Sequence, residues 1–419
     1  MFKKYMRYGI LTLFLLTFPA TFSLADSTDL LNLEDEQIVE DAAGYRFVDT
    51  DNSPNRAAEY SYLNDSPTFN LVVKRYDSGK KFSMVGDYLG HKDFNFTGDL
   101  NTNLFRLHLR SERMYHNLDH VPYLTRVDSP NGTPGNVSVT YEDLNPGEDY
   151  GRQITINEVK LRGNVPDYPA HINLSYWRLE KKGDMQLRFV DESCAGNCHM
   201  QSRTRKLDRV TEEITAGFDA HLGPVDIAFL QTLREFREKA SNPNDQFENH
   251  SIPGTFFPGD PGVLRRPAGE YEHDTAPDSK LVESTFKINL PPSGGFVTSA
   301  SYTIGKRENE SDGSYINPTD PETDYQKLAA DVTYTPGEKW TMNFRYRMLD
   351  LDSDGPNYQT SIYNFSGFGT EVPVRQSIDI DRNNYAATVS YRPTRRLTLK
   401  GDYEREDTDR NNTGLSDFN

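Results

Sequence analysis

Between Tyr325 and Met348 the side chains alternate in character, with a period of two, on both sides of a short turn. Leu328, Ala330, Val332 and Tyr334 share one face of the first run, and Lys327, Asp331 and Thr333 the other. After Pro336-Gly337-Glu338-Lys339, the residues Trp340, Met342, Phe344, Tyr346 and Met348 alternate with Thr341, Asn343, Arg345 and Arg347. Successive side chains of a strand point to opposite faces, so the stretch reads as an antiparallel hairpin with one apolar and one charged face. A strand of about 10 residues with such faces either covers a soluble core or lines a membrane barrel. On this hairpin alone a soluble sandwich stays open.

Repetition favours the barrel. Tyr385, Ala387, Val389 and Tyr391 lead through Pro393-Thr394-Arg395 to Leu397, Leu399, Gly401 and Tyr403. Val282 to Leu290 leads through Pro291-Pro292-Ser293-Gly294-Gly295 to Phe296 and Ile304. Further alternating runs are read at Gly44 to Phe47, Arg56 to Leu63, Thr68 to Tyr76, Phe82 to Leu89 and Leu104 to Arg113. Others follow at Gln153 to Gly163, His171 to Leu179, Asp184 to Val190, Ile214 to Leu222 and Val225 to Phe236. Short Pro/Gly turns alternate with long polar loops near residues 117–151, 240–279, 306–324 and 350–382, the asymmetry of outer-membrane barrels. The expected fold is all-β, a transmembrane antiparallel barrel of about 16 strands over residues 44–419. With the Pro/Gly turns in the periplasm, the run from Leu397 rises to the outside and stops at the start of an outer loop. Bacterial single-chain barrels have an even strand number, so an incomplete, C-terminally truncated larger barrel is expected.

At the start, Lys3, Lys4 and Arg7 precede an apolar run from Gly9 to Phe18, and Ser23-Leu24-Ala25 supplies a cleavage site. Residues 1–25 read as a secretory signal peptide, and residues 26–43 as an acidic periplasmic lead. The rest holds no apolar stretch near 18 residues, mean hydropathy is -0.74 and 26% of residues are charged, which excludes helical spans. A barrel tolerates those figures because its lumen and loops are polar. The formal net charge of -17 argues against nucleic acid as a partner. Among known catalytic signatures the chain holds no nucleophile elbow, Walker loop, zinc-protease helix or paired-carboxylate spacing, and no enzymatic activity is expected.

Cys194 and Cys198 are the only two cysteines, and His199 directly follows the second. In an exported chain two near cysteines make a disulfide or remain a dithiol. Covalent haem attachment uses C-x-x-C-H, from which the three-residue spacer here departs. Metal binding is a third reading, and the cationic run Ser202-Arg203-Thr204-Arg205-Lys206 follows closely. Asp350, Asp352 and Asp354 resemble the opening of a calcium loop, but Ser361 stands at the twelfth position, where a bidentate Glu is needed. His116, His120 and His199 are ligand candidates only if the fold gathers them. On the face opposite the apolar one, Arg345, Arg347, Lys400, Asp402 and Glu404 look into the lumen, since charges facing lipid cost roughly 2 to 4 kcal/mol each at the midplane.

Tyr115-His116-Asn117-Leu118-Asp119-His120, Pro146 to Gly151, Leu161-Arg162-Gly163, Pro169-Ala170-His171 and the Cys194 to Asp208 segment resemble the porins of bacterial porin-cytochrome conduits. These are the MtrB/PioB-like, decahaem-associated outer-membrane proteins. The likeness covers most of Gly44 to Glu235, while the later hairpins match only as a generic barrel. It implies an insulating sleeve that holds a periplasmic multihaem c-type cytochrome and passes electrons to an outer-surface cytochrome. On that reading the sleeve binds no cofactor itself, the haem c belongs to the partner cytochromes, and outer-membrane lipid surrounds it. Family barrels exceed 16 strands, which agrees with the expectation of a missing C-terminal part. Two other functions stay open: a passive diffusion porin whose inward charges set selectivity, and a haem-bearing redox protein through Cys194, Cys198 and His199.

Overall fold

The computed structural model describes residues 36–411 apart from 52–53, 78, 122–125, 129–137, 191–196, 248–249, 252–264, 267, 274–275, 312–315, 318–319, 356–357, 366–368 and 374–376. The expected signal peptide and the first part of the lead lie outside the described residues. Strands β1 (Glu36–Arg46), β2 (Ser66–Asp77), β3 (Lys80–Gly90), β4 (Asp93–Asn101) and β5 (Phe105–Leu118) come first. Two short strands, β6 (Arg126–Asp128) and β7 (Ser138–Asp143), precede the long β8 (Tyr150–Asn164), β9 (Ala170–Val190), β10 (Asn197–Leu222) and β11 (Val225–Glu238). The next connection carries β12 (Asn244–Phe247), β13 (His250–Ser251), β14 (Arg265–Arg266) and β15 (Gly269–Glu272). Then follow β16 (Ser279–Ser293), β17 (Phe296–Asn309), β18 (Ile316–Asn317), β19 (Glu322–Tyr334) and β20 (Trp340–Asp354). Strands β21 (Tyr358–Phe365), β22 (Gly369–Pro373), β23 (Asp379–Thr394) and β24 (Leu397–Asn411) close the description.

The main sheet has 17 strands. Setting aside β6 and β7, each strand pairs antiparallel with the next one along the chain, an up-and-down meander from β1 to β24. Its connections largely sort by length, the exceptions being the two residues between β3 and β4 and the six between β9 and β10, which lie at the long-loop end. At one end the chain turns through two to five residues, as at Gly223, Gly294-Gly295 and Gly337, where positive φ (64°, 59°, 84° and 79°) requires residues without a Cβ. At the other end lie the long connections 119–149, 239–278, 310–321 and 355–378.

The packing is inside out for a soluble protein. Among the described residues only three hydrophobic side chains, Tyr150, Leu207 and Val210, are buried, whereas Ile214, Phe218, Phe286, Ile288, Phe344 and Tyr403 are all exposed. These apolar side chains share one face and meet across the ladder. Phe218, Phe229 and Phe286 are successive cross-strand partners with ring centroids 6.0 and 4.8 Å apart. Phe296 stacks on Tyr334 at 4.0 Å and Trp340 on Tyr391 at 4.2 Å, forming an aromatic row beside the short turns. In water such a surface would associate; hydrocarbon is the solvent that suits it, with the stacked aromatics at the interface. Along β16 the apolar face from Val282 to Leu290, with Val282, Phe286, Ile288 and Leu290 exposed, extends about 26 Å along the strand and about 20 Å along the membrane normal once tilted, close to the height of an apolar membrane band.

Several boundaries differ from expectation. Residues 36–43 of the acidic lead belong to β1, paired with β2 along its whole length; Asp41 interrupts the apolar face there and hides the alternation. Arg56 to Leu63 is no strand, because Tyr60 and Tyr62 turn onto His116 and Tyr115. Strand β4 was not anticipated. The two runs expected within 171–190 are one strand, β9, and the loop expected from residue 350 starts only at 355. At 21 and 26 residues, β9 and β10 extend for about 70 and 85 Å, far past a membrane. Beyond it both faces are wet, so hydropathy stops marking the strand.

Candidate functional site

Every residue expected to face the lumen lies on the polar face, and each of them meets an opposite charge. Arg347 donates to Asp331 at 2.7 Å, and Arg345 approaches Glu404 at 3.8 Å. Lys400 pairs with Asp402 at 3.0 Å, while Thr388 and Asn384 donate to Asp402 and Glu404 at 2.7 and 2.9 Å. The same pattern runs round the sheet: Tyr325 donates to Glu283 at 2.6 Å, Arg234 to Glu213 at 2.7 Å, and His108 meets Asp99 at 2.8 Å. Strand alternation sets the face, and cross-strand neighbours of opposite sign make the pairs. The result is a mixed-sign, hydrogen-bonded wall, suited to water or to the polar surface of another protein, and without one dominant sign to repel either ion.

The second feature is a built knot at the long-loop end. Here the strands that outlast the membrane fold against the connections, and nearly all the buried polar residues gather: His116, Asn117, Thr155 and Ser202. Asn117 donates through Nδ2 to the carbonyls of Ala58 and Ser61, at 2.6 and 2.9 Å, pinning the segment between β1 and β2. His116 donates from Nε2 to Glu59 and accepts at Nδ1 from Arg152, both at 3.0 Å, with Tyr60 stacked on its ring at 4.4 Å. Both ring nitrogens of His120 face acceptors, Asp143 at 2.6 Å and the Glu148 carbonyl at 2.7 Å. Strand β7 runs parallel to the start of β10, and Ser202 donates to Asp143 at 3.1 Å. Arg203 and His273 converge on the buried Asp245, at 2.6 and 2.7 Å, so the β12–β15 ribbon is fastened to β10 beside Phe189 and Phe247.

The three histidines named as ligand candidates are therefore not gathered; each is committed to a separate carboxylate, His199 to Glu142 at 3.0 Å. Cys194 lies outside the described residues, and of Cys198 only the backbone, in β10, is described. The cationic run from Ser202 to Lys206 lies within β10, with Ser202 fully buried. Asp350, Asp352 and Asp354 lie on β20, where an extended backbone spaces alternate side chains by about 6.7 Å in a straight row. A calcium loop instead curls its carboxylates round one ion. Sequence reading missed the knot's partners, Glu59, Arg152 and Asp245, because nothing local marks them.

The sequence of residues 275–417 matches the family described as "Putative outer membrane beta-barrel porin, MtrB/PioB", so the match falls on the later hairpins and not on the Gly44 to Glu235 stretch that carried the resemblance. No curated relative matches the chain. Among solved structures, in-vitro folded OmpT, an outer membrane protein of Vibrio cholerae, is similar at 9% identity, covering 82% of this chain and 92% of that one with a TM-score of 0.30. An anion-selective porin from Comamonas acidovorans is similar at 9% identity, covering 88% of this chain and 100% of the other with a TM-score of 0.26.

Proposed function

We propose, on the premise that residues 275–417 form an MtrB/PioB outer-membrane β-barrel porin domain, that this barrel is the protein sleeve of an electron conduit. Its partner is a multihaem c-type cytochrome seated against the polar face, passing electrons through the outer membrane to a second cytochrome outside. The observation that carries the reading is the family match; the ion-paired polar wall supports it. A protein partner needs a surface that hydrogen-bonds without a net field, whereas haem-to-haem transfer needs hydrocarbon kept away, and the apolar face supplies that insulation from lipid. The knot at the long-loop end gives the outer cytochrome a preformed platform. All redox chemistry resides in the partners' haems, and the chain's own residues bind and orient.

The test is reconstitution in liposomes loaded with an oxidised viologen dye, with dithionite added outside. The barrel together with a multihaem cytochrome isolated from the same membranes is expected to reduce the dye, and neither component alone should do so. Reduction by the barrel alone would place a redox centre on this chain. Large open conductance of the barrel in planar bilayers, unaffected by the cytochrome, would make it a diffusion porin instead.

A further inference from the structure

We propose that His171, Asp219 and His221 form a binding site for a divalent transition-metal ion, with zinc suited to it, on the polar face at the short-turn end. The placement follows from the ladder. Asp219 and His221 are two apart on β10 and so share a face, and His171 on β9 is the direct cross-strand partner of Asp219. One donor atom from each lies within 4.8 Å of the others. Two imidazoles and a carboxylate suit zinc, nickel or copper, and with zinc they leave a fourth position to water.

Two further observations point to a cation. The supporting groups that orient metal ligands are in place. Asp226, the cross-strand partner of His221, holds its Nδ1 at 2.6 Å and leaves Nε2 for a metal. Asn173 donates to Asp219 Oδ1 at 2.7 Å, so the oxygen turned toward the other donors is Oδ2, which meets His171 Nδ1 at 2.8 Å, a contact that a metal would replace. In addition, Arg162 Nη2 stands 2.9 Å from both His171 Nδ1 and Asp219 Oδ2, so a positive charge already sits against two of the three donors. That guanidinium is the competitor a metal must displace, and with 43% of its side chain exposed it has solvent to withdraw into. The site does not depend on the conduit reading, since it requires only the described strands.

The experiment is calorimetric titration of Zn2+ into the untagged, chelator-stripped full chain in detergent, with heat-modified gel mobility showing that each variant is folded. One zinc per chain is expected. His171→Ala and His221→Ala should weaken it by at least about tenfold, and Asp226→Asn by roughly 10- to 100-fold. Arg162→Met keeps every ligand and should bind zinc more tightly than the unaltered chain, which a purely structural ion-pair cluster would not do. Absence of saturable binding in both the unaltered chain and Arg162→Met would overturn the site. So would binding that both histidine substitutions leave unchanged, or an Arg162→Met variant that binds no more tightly.

Discussion

Neighbouring residues of one strand live in opposite solvents, and single substitutions should report it. Phe344 is half exposed at the centre of the apolar face, while Asn343 donates to Thr333 at 2.9 Å on the polar one. Phe344→Arg is expected to lose roughly 2 to 4 kcal/mol of membrane folding energy, and Asn343→Arg to be nearly neutral. The folded fraction on unheated denaturing gels measures both, and equal tolerance would contradict the facing. In the knot, Asn117→Ala leaves two carbonyls without their donor, at about 1 to 3 kcal/mol. Limited proteolysis should then cut within residues 58–63 faster, by about tenfold for each 1.4 kcal/mol, with the rest of the sheet unaffected. That Arg345, Arg347, Lys400, Asp402 and Glu404 share the face opposite the apolar one was legible in the sequence because a period of two is a local signal. The roles of His116 and Asn117 were not, because their partners stand 56 to 59 residues away along the chain.

At the scale of strands, the hairpins β19–β20 and β23–β24 were readable because each crosses hydrocarbon on one side and water on the other. Strands β9 and β10 were readable only where they do so; their outer halves are held by register, not by hydropathy. Gly183 is a point where that register is exacting. Its φ is 153°, and a Cβ there would collide with the Gly151 carbonyl oxygen on the paired strand β8, a backbone atom that cannot step aside. Gly183→Ala should therefore cost more than about 1 kcal/mol and lower the temperature at which the folded gel band disappears. Gly163→Ala, on β8 with nothing within 4 Å of the added Cβ, serves as the comparison and should hardly shift it. A similar loss in both variants would mean that backbone entropy, and not the close approach, governs these glycines.

For the molecule as a whole, strand direction fixes the end at which each connection lies, and all the connections longer than ten residues lie at one end. Strands β1 and β24 both run from the short-turn end toward the long-loop end, so the two edges of the described sheet are co-directional. The rule that short turns face the periplasm puts the knot outside the cell and the His171, Asp219 and His221 cluster at the periplasmic mouth. The conduit reading needs that orientation, because the periplasmic cytochrome must enter from the short-turn side. An epitope inserted at Gly337, whose surroundings are open, tests it against one inserted at the exposed Ser241. Antibody should reach the Ser241 epitope on intact cells, and the Gly337 epitope only after the outer membrane is permeabilised. Labelling of Gly337 on intact cells would invert the sheet, place the knot in the periplasm, and leave the outer cytochrome without its platform.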